Sequence, residues 1–253
     1  MSETSVLEGR NLCLSWDGKP ILEDISIHVE AGEFVCLVGR SGCGKTTLFH
    51  ALAGLTHPDS GKVFLRGRDV SGEPGHVSYM LQKDLLLPSK KIIDNISLPL
   101  VLRGVKKSEA RKKAEGLMER FGLDGTQDLW PHQLSGGMRQ RAALLRTYLM
   151  DNEVVLLDEP FSALDAITRV DMRLWFAHML QELSMSSLMI THDVDEAVAV
   201  ADRIYVMQGN PAASIPTRIG GEIKIERLDT RDTQFSLTPE FLDYKKQVLN
   251  LLN

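Results

Sequence analysis

The stretch that most constrains this chain is Gly39-Arg40-Ser41-Gly42-Cys43-Gly44-Lys45-Thr46-Thr47, which fits G-x-x-x-x-G-K-[ST] without a gap. Before it runs Glu33-Phe34-Val35-Cys36-Leu37-Val38, a short apolar run that reads as a buried parallel strand. After it, Lys45 to Ala53 reads as a helix with Gly54 near its end. Strand, glycine turn and helix are the setting this motif needs. Glycines let backbone N–H groups wrap phosphate oxygens, and the helix N-terminus adds positive potential there. Lys45 is placed to reach the β- and γ-phosphates, and Thr46 to offer a hydroxyl to magnesium. The expectation is a nucleoside triphosphate site in an α/β fold.

Around it, residues 5–30 alternate like antiparallel strands, with a turn at Trp16-Asp17-Gly18-Lys19-Pro20 and a period of two in Ile25, Ile27 and Val29. Trp16 either stacks on a nucleotide base or packs in the core; periodicity does not separate the two. Further strands are expected at Lys62–Leu65 and His76–Leu81. Gln82, at the end of the second, is polar punctuation unless that strand points at the phosphate loop, where its amide oxygen would help coordinate magnesium. From about 84 to 150 the pattern turns helical. There the run Ile92–Leu102 is followed by a charged stretch from Lys106, which is expected to continue as an amphipathic helix to Phe121 and stop at Gly122. Interleaved acids favour a solvated face over a nucleic-acid or lipid-headgroup surface.

Two later segments carry chemistry. Ser135 is suited to cap a helix through Met150. Ser135-Gly136-Gly137 reads either as an ordinary capped start or as a second cluster of phosphate donors. The run Val154-Val155-Leu156-Leu157 reads as a central parallel strand that delivers Asp158 and Glu159 to its C-terminal end, where ligands bind in open α/β sheets. Asp158 suits a magnesium ligand and Glu159 a base or positioner for attacking water. A helix over 166–183 carries Met172, Trp175, Phe176, Met179 and Leu183 on one face, read as core. The strand Leu188–Thr191 delivers His192 to the same kind of edge, and Arg203–Met207 is a further strand. Beyond Gln208 the pattern thins until a C-terminal helix with Thr238 as N-cap and Pro239 at its first position. Its expected apolar face is Phe241, Tyr244, Val248, Leu249 and Leu252.

A net charge of -5 argues against a general nucleic-acid binder. No apolar run approaches the ~20 residues that span a bilayer, and Met1–Ser5 does not begin a secretory signal. Cys13, Cys36 and Cys43 lack metal-ligand spacing and fit a reducing cytosol. Cys43, inside the phosphate loop, is either a small residue tolerated there or a redox-sensitive thiol.

With these residues in view, 5–208 resembles the ATP-binding subunit of ABC transporters over essentially its whole length. The phosphate loop is shared by many NTPases, but Leu134-Ser135-Gly136-Gly137 followed by Asp158-Glu159 is specific to that class. The resemblance implies a P-loop NTPase (RecA-like) parallel-sheet core, an N-terminal antiparallel β subdomain, an α-helical subdomain inserted at about 84–150, and a C-terminal extension at 209–253. It implies that Trp16 stacks on adenine, where the family more often has tyrosine. It gives Gln82 the Q-loop position, Asp158 the magnesium-associated aspartate and Glu159 the catalytic glutamate. Ser162–Asp165 falls on the D-loop, and His192 on the switch histidine at the γ-phosphate. Met138 departs from the family's commoner glutamine. Leu134–Arg141, Asp195-Glu196-Ala197 and Ala201-Asp202-Arg203 look like nitrate, sulfonate and taurine importers, and also like importers of thiamin-precursor pyrimidines. The proline-arginine stretch usual in that group is not recognisable between Gly209 and Asp232.

What this implies is ATP and Mg2+ as ligands and a head-to-tail dimer of two copies. Each copy's Ser135, Gly136 and Gly137 would complete its partner's site. A transmembrane permease would be engaged at the cytoplasmic face of the membrane, with Leu85-Leu86-Leu87-Pro88 lining the groove for it, and an extracytoplasmic substrate-binding protein would take part indirectly. The alternative is a soluble ABC ATPase acting on nucleic acid or ribosomes. Such proteins usually carry two cassettes or long coiled-coil insertions, and this sequence shows neither.

Overall fold

The computed structural model describes residues 5–226 and 233–252. Met1–Thr4, part of the secretory-signal expectation, and 227–232, part of the weakly patterned stretch, lie outside the described residues. In chain order the elements are β1 (Ser5–Trp16), β2 (Lys19–Glu30), β3 (Phe34–Gly39), α1 (Lys45–Leu52), β4 (Ser60–Leu65), β5 (Arg68–Asp69), β6 (Ser78–Met80), α2 (Ile92–Ile96), α3 (Leu98–Leu102), α4 (Lys107–Met118) and α5 (Gly136–Tyr148). Then come β7 (Val154–Asp158), α6 (Ala166–Glu182), β8 (Ser186–Thr191), α7 (Val194–Val200), β9 (Arg203–Asn210), β10 (Ile215–Lys224) and α8 (Pro239–Leu252). The chain divides into two compact units. One comprises residues up to Val77, Glu153–Glu159 and everything from Arg173; the other comprises Ser78–Asn152 and Pro160–Met172.

The first unit is built on one sheet in the order β5-β4-β1-β2-β10-β9-β3-β8-β7. Its β3, β7, β8 and β9 run parallel, with β3 between β8 and β9. Every residue of β3, β7 and β8 is buried, as their near-continuous apolar sequences require of strands covered on both faces. The antiparallel portion is β1 paired with β2 and β4. The α/β arrangement expected from the sequence is therefore present. β10 is not among the expected elements. Pro216, Gly220 and Gly221 obscure any alternation in it, yet it lies inside the sheet, antiparallel to β9 and touching β2 at Thr217↔Leu22. Pairing on both sides overrides its poor strand propensity.

α8 begins as expected, with Thr238 Oγ1 accepting from the Phe241 N–H at 3.3 Å. Phe241 and Val248 are buried, but Leu249 is 40% exposed, against the expectation for it. It lies about 100° round the helix from Val248, whereas Leu251 turns toward the sheet at Gly221. In α6, Met172, Phe176 and Met179 are buried, while Trp175 and Leu183 are only half-buried; Ala177 and Leu180 are buried beside them.

In the second unit the run Ile92–Leu102 forms two short helices, α2 and α3. The chain breaks at Ser97, whose Oγ donates to Ile93 O at 2.7 Å, and Pro99 opens α3. Asp94 on α2 takes a two-pronged contact from Arg111 on α4, Nε at 2.9 Å and Nη2 at 2.8 Å. That guanidinium, with Lys107, holds the Asp94 carboxyl below its usual range. α4 buries Ala110, Ala114 and Met118 at intervals of four, leaving most of its basic residues in solvent. Leu85 and Leu87 are exposed, but Leu86 is 6% exposed and packs inward, so it does not join them on a surface. Among the described residues no helix is long and apolar enough to cross a membrane.

Candidate functional site

β3 ends at Gly39, and the chain turns tightly, the Cys43 N–H bonding Arg40 O at 3.2 Å. Gly42 (φ 77°) and Gly44 (φ 99°) take left-handed conformations that a side chain would strain. At Gly44 space is also short. A Cβ there would come within 2.9 Å of Ile21 Cγ2 and 3.0 Å of Leu22 Cδ2 on β2. α1 then starts at Lys45 with no acidic residue in its first turn, so its positive end is not offset. Lys45 is buried, and its Nζ donates to Gly39 O at 2.8 Å and Arg40 O at 3.0 Å. The ammonium therefore lies across the mouth of its own loop, where an anion would meet it.

Cys43 is 1% exposed, and burial pushes its thiol up, against the lowering effect of Lys45. A buried, protonated thiol is a poor nucleophile, so the structure favours packing over redox sensing. In native protein at pH 7.5, iodoacetamide should modify half-buried Cys13 first, while Cys36 and Cys43 stay protected until denaturant is added. Peptide mass spectrometry reads this directly, and early labelling of Cys43 would contradict it.

The sheet register gathers the other candidates of this unit. Val38 on β3 pairs with Thr191 on β8, and Ile190 pairs with Asp158 on β7. The phosphate loop, His192 and the Asp158–Glu159 pair thus leave adjacent parallel strands at the same, C-terminal edge. Asp158 is 7% exposed. Glu159 turns out of the strand at φ 43°, a conformation costly for a non-glycine residue. Its N–H still bonds Ile190 O at 3.0 Å, which holds it there. In that conformation Glu159 Oε2 lies 3.1 Å from His192 Nδ1. His192 is itself set by its neighbours. Thr191 Oγ1 donates to Glu196 Oε2 at 2.6 Å and accepts from the Asp193 N–H, while Asp193 caps α7 through the N–H groups of Asp195 and Glu196. Asp193 followed three residues later by Glu196 is a helix-start signature that the sequence reading left unused. Trp16 is 50% exposed at the tip of the β1–β2 hairpin, where Leu14 pairs with the Leu22 that abuts Gly44. Packing in the core is thereby excluded for it.

Gln82, Ser135, Gly136 and Gly137 belong to the second unit. Gln82 Nε2 donates to Ser162 Oγ at 3.3 Å. Ser135 caps α5 as expected, its Oγ accepting from the Met138 N–H at 3.3 Å. The two glycines have a structural reason within that unit. A Cβ on Gly136 would lie 3.2 Å from Leu164 Cδ2, and one on Gly137 would lie 3.3 Å from Thr168 Cγ2. One position here was legible in no motif. Thr217, on β10, donates its hydroxyl to the phosphate-loop carbonyl of Cys43 at 2.6 Å.

Comparison with known proteins adds four findings. The sequence description of the ABC transporter family matches residues 22–162. The chain is 41% identical over 192 residues to the formylaminopyrimidine import ATP-binding protein ThiZ of Halalkalibacterium halodurans, covering 76% of this chain and 75% of that one. It is 39% identical over 246 residues to the aliphatic sulfonates import ATP-binding protein SsuB 1 of Agrobacterium fabrum, covering 96% and 82%. Among solved structures, cbiO1 from Clostridium perfringens, part of the ABC transporter complex cbiONQ, matches with a TM-score of 0.77 at 24% identity, over 87% of this chain and 89% of that one.

Proposed function

The chain belongs to the ABC transporter family, and from that premise we propose that it is the ATP-hydrolysing subunit of an importer for a small solute such as a nitrate, sulfonate or thiamin-precursor pyrimidine. One observation carries the chemistry. The Glu159–His192 pair, 3.1 Å apart, leaves the same sheet edge as the phosphate loop. A carboxylate in that position suits accepting the proton of a water as it attacks the γ-phosphorus. The bond to the β-bridging oxygen then breaks, releasing phosphate and ADP. His192 suits orienting that carboxylate and contacting the γ-phosphate oxygens. Lys45 and the loop N–H groups suit the phosphates, and exposed Trp16 suits stacking on adenine.

Hard oxygen donors at Thr46 and Asp158 fit magnesium, with Gln82 as the further ligand proposed for it. When bound, the ion supplies charge neutralisation at the phosphates. Ser135, Gly136 and Gly137 of a second copy are proposed to complete the site, the exposed Ser135 hydroxyl and the α5 N-terminus meeting the γ-phosphate. The 84–150 region is proposed as the helical subdomain that faces a membrane permease, with exposed Leu85 and Leu87 as part of its contact. Residues 209–253 are proposed as a C-terminal extension, though β10 within them is an integral strand of the sheet. An extracytoplasmic binding protein would deliver the solute, and the subunit would work at the cytoplasmic face.

The test is affinity purification of the tagged chain from detergent-solubilised membranes of its own cells. The expected result is co-purification of a polytopic membrane protein in a complex that turns over ATP. Recovery of ribosomes or nucleic acid in its place would overturn the reading.

A further inference from the structure

The strand that no sequence pattern announced touches the phosphate loop at one atom. Thr217 is fully buried on β10, and its Oγ1 is 2.6 Å from Cys43 O, across 174 residues of sequence. The Cys43–Gly44 peptide is a planar, trans unit, so its C=O and N–H point in opposite directions. Fixing the carbonyl on one side fixes the Gly44 N–H on the other. That N–H belongs to the backbone donors with which such a loop holds phosphate. The Gly44 Cα that follows this peptide is also confined, on the side where a Cβ would project. Gly44 lies against Ile21 and Leu22, and Leu22 is the residue with which Thr217 pairs. The paired strands β2 and β10 therefore both bear on this turn of the loop, β10 through the Cys43 carbonyl and β2 beside the Gly44 Cα.

A second feature leaves room for the hydroxyl. Gly209 on β9 has no side chain where one would lie 2.3 Å from Thr217 Oγ1 and 2.5 Å from its Cα. Any larger residue at 209 would displace the hydroxyl from the loop. Resting on the nucleotide site proposed above, we infer that Thr217 is a positioning residue for the phosphate loop, which orients the Gly44 N–H toward the bound phosphate by donating to the Cys43 carbonyl. It touches neither nucleotide nor water. It acts by keeping one donor of the cradle pre-aimed, so that binding does not have to order that peptide. Its effect should fall on affinity rather than on the chemical step, because Glu159 and His192 leave other strands.

The experiment compares the wild type with Thr217→Val, which keeps the shape and removes the hydroxyl, and with Thr217→Ser and Thr217→Ala, which differ from each other only by the hydroxyl. Affinity for MgADP is measured by calorimetry, KM and kcat for MgATP by steady-state turnover, and Tm without nucleotide. Loss of one pre-aimed hydrogen bond predicts about tenfold weaker MgADP binding and about tenfold higher KM for the Val and Ala variants. Near-wild-type values are expected for Ser, with kcat altered less than about twofold throughout. Unchanged affinity in Thr217→Val and Thr217→Ala, whatever their Tm, would overturn the proposal, as would equal weakening in Ser and Ala. Failure of the wild type itself to bind MgADP would instead overturn the nucleotide reading on which the proposal stands. The Ser/Ala pair decides the matter if the Val variant does not fold.

Discussion

Replacing Glu159 with glutamine is expected to lower steady-state ATP turnover by about 10²–10⁴-fold, the range that a positioned general base contributes, while leaving nucleotide affinity almost unchanged. Glutamine keeps the size of the side chain and can still hydrogen-bond His192, 3.1 Å from the native carboxylate. What it loses is the negative charge and the capacity to accept a proton from water. The donors proposed to hold phosphate lie elsewhere, in the loop at 39–47 with its Lys45, so binding is expected to survive the change. With hydrolysis blocked, and if two copies complete each other's site as proposed, MgATP should move the variant to a dimer on gel filtration, and MgADP should not. Radioactive phosphate release and the elution volume read the two halves of the claim separately. Normal turnover in Glu159→Gln would remove this residue from its proposed role. A monomer with full ATPase activity would remove the requirement for a second copy.

The second large effect is on stability. Arg203, at the start of β9, is 2% exposed, and its guanidinium grips Glu33 just before β3, Nε to Oε1 at 2.8 Å and Nη2 to Oε2 at 2.5 Å. Nη1 also reaches His28 Nε2 at 2.5 Å and Glu222 at 3.4 Å. Burial alone would make this cation easier to discharge. The hydrogen bonds to Glu33, with the neighbouring acidic groups, more than offset it and hold the guanidinium charged. Burial likewise pushes the nearby Tyr205 phenol up to about 12, so it stays neutral beside the cation.

Arg203→Met would leave Glu33, whose side chain is 14% exposed, without its main partner. Breaking a buried pair from one side costs about 3–5 kcal/mol. At roughly 2–4 °C per kcal/mol for a chain this size, Tm should fall by roughly 10 °C. The double variant Arg203→Met with Glu33→Gln should recover much of the loss, because the stranded charge is gone. Equal destabilisation of single and double variants in a thermal melt would show that packing of the Arg203 stem, not the charge pair, dominates.

Much of the candidate site was legible before any coordinates. The phosphate loop, the Asp158–Glu159 strand end, His192 and the Ser135 cap are each encoded in a few contiguous residues. In each, an apolar run sets the strand or helix, and the polar residue directly beyond it is placed by chain continuity. Local rules suffice for such segments because hydrophobic period and capping act over one or two turns. Trp16 could not be assigned this way, since its exposure depends on which partner the hairpin tip meets. Leu86 and Leu249 were misassigned for the same reason. Each sits in an apolar run, and only the neighbouring packing decides which leucine of the run turns inward.

What the sequence by itself determined is the set of candidate groups and the α/β frame that carries them to strand ends. What only the tertiary structure decided is how those groups are aimed. The left-handed turn at Glu159 persists because its N–H bonds Ile190 on the adjacent strand. The break at Ser97 between α2 and α3, by contrast, is set locally, by the Ser97 hydroxyl and by Pro99. β10 exists because two strands far apart in sequence leave a place that its backbone can pair into, and Thr217 meets Cys43 only once that pairing is made. The period of side chains along one segment records which face of it is buried. It holds no record of the hydrogen bonds that a different segment, 174 residues away, will bring to that face.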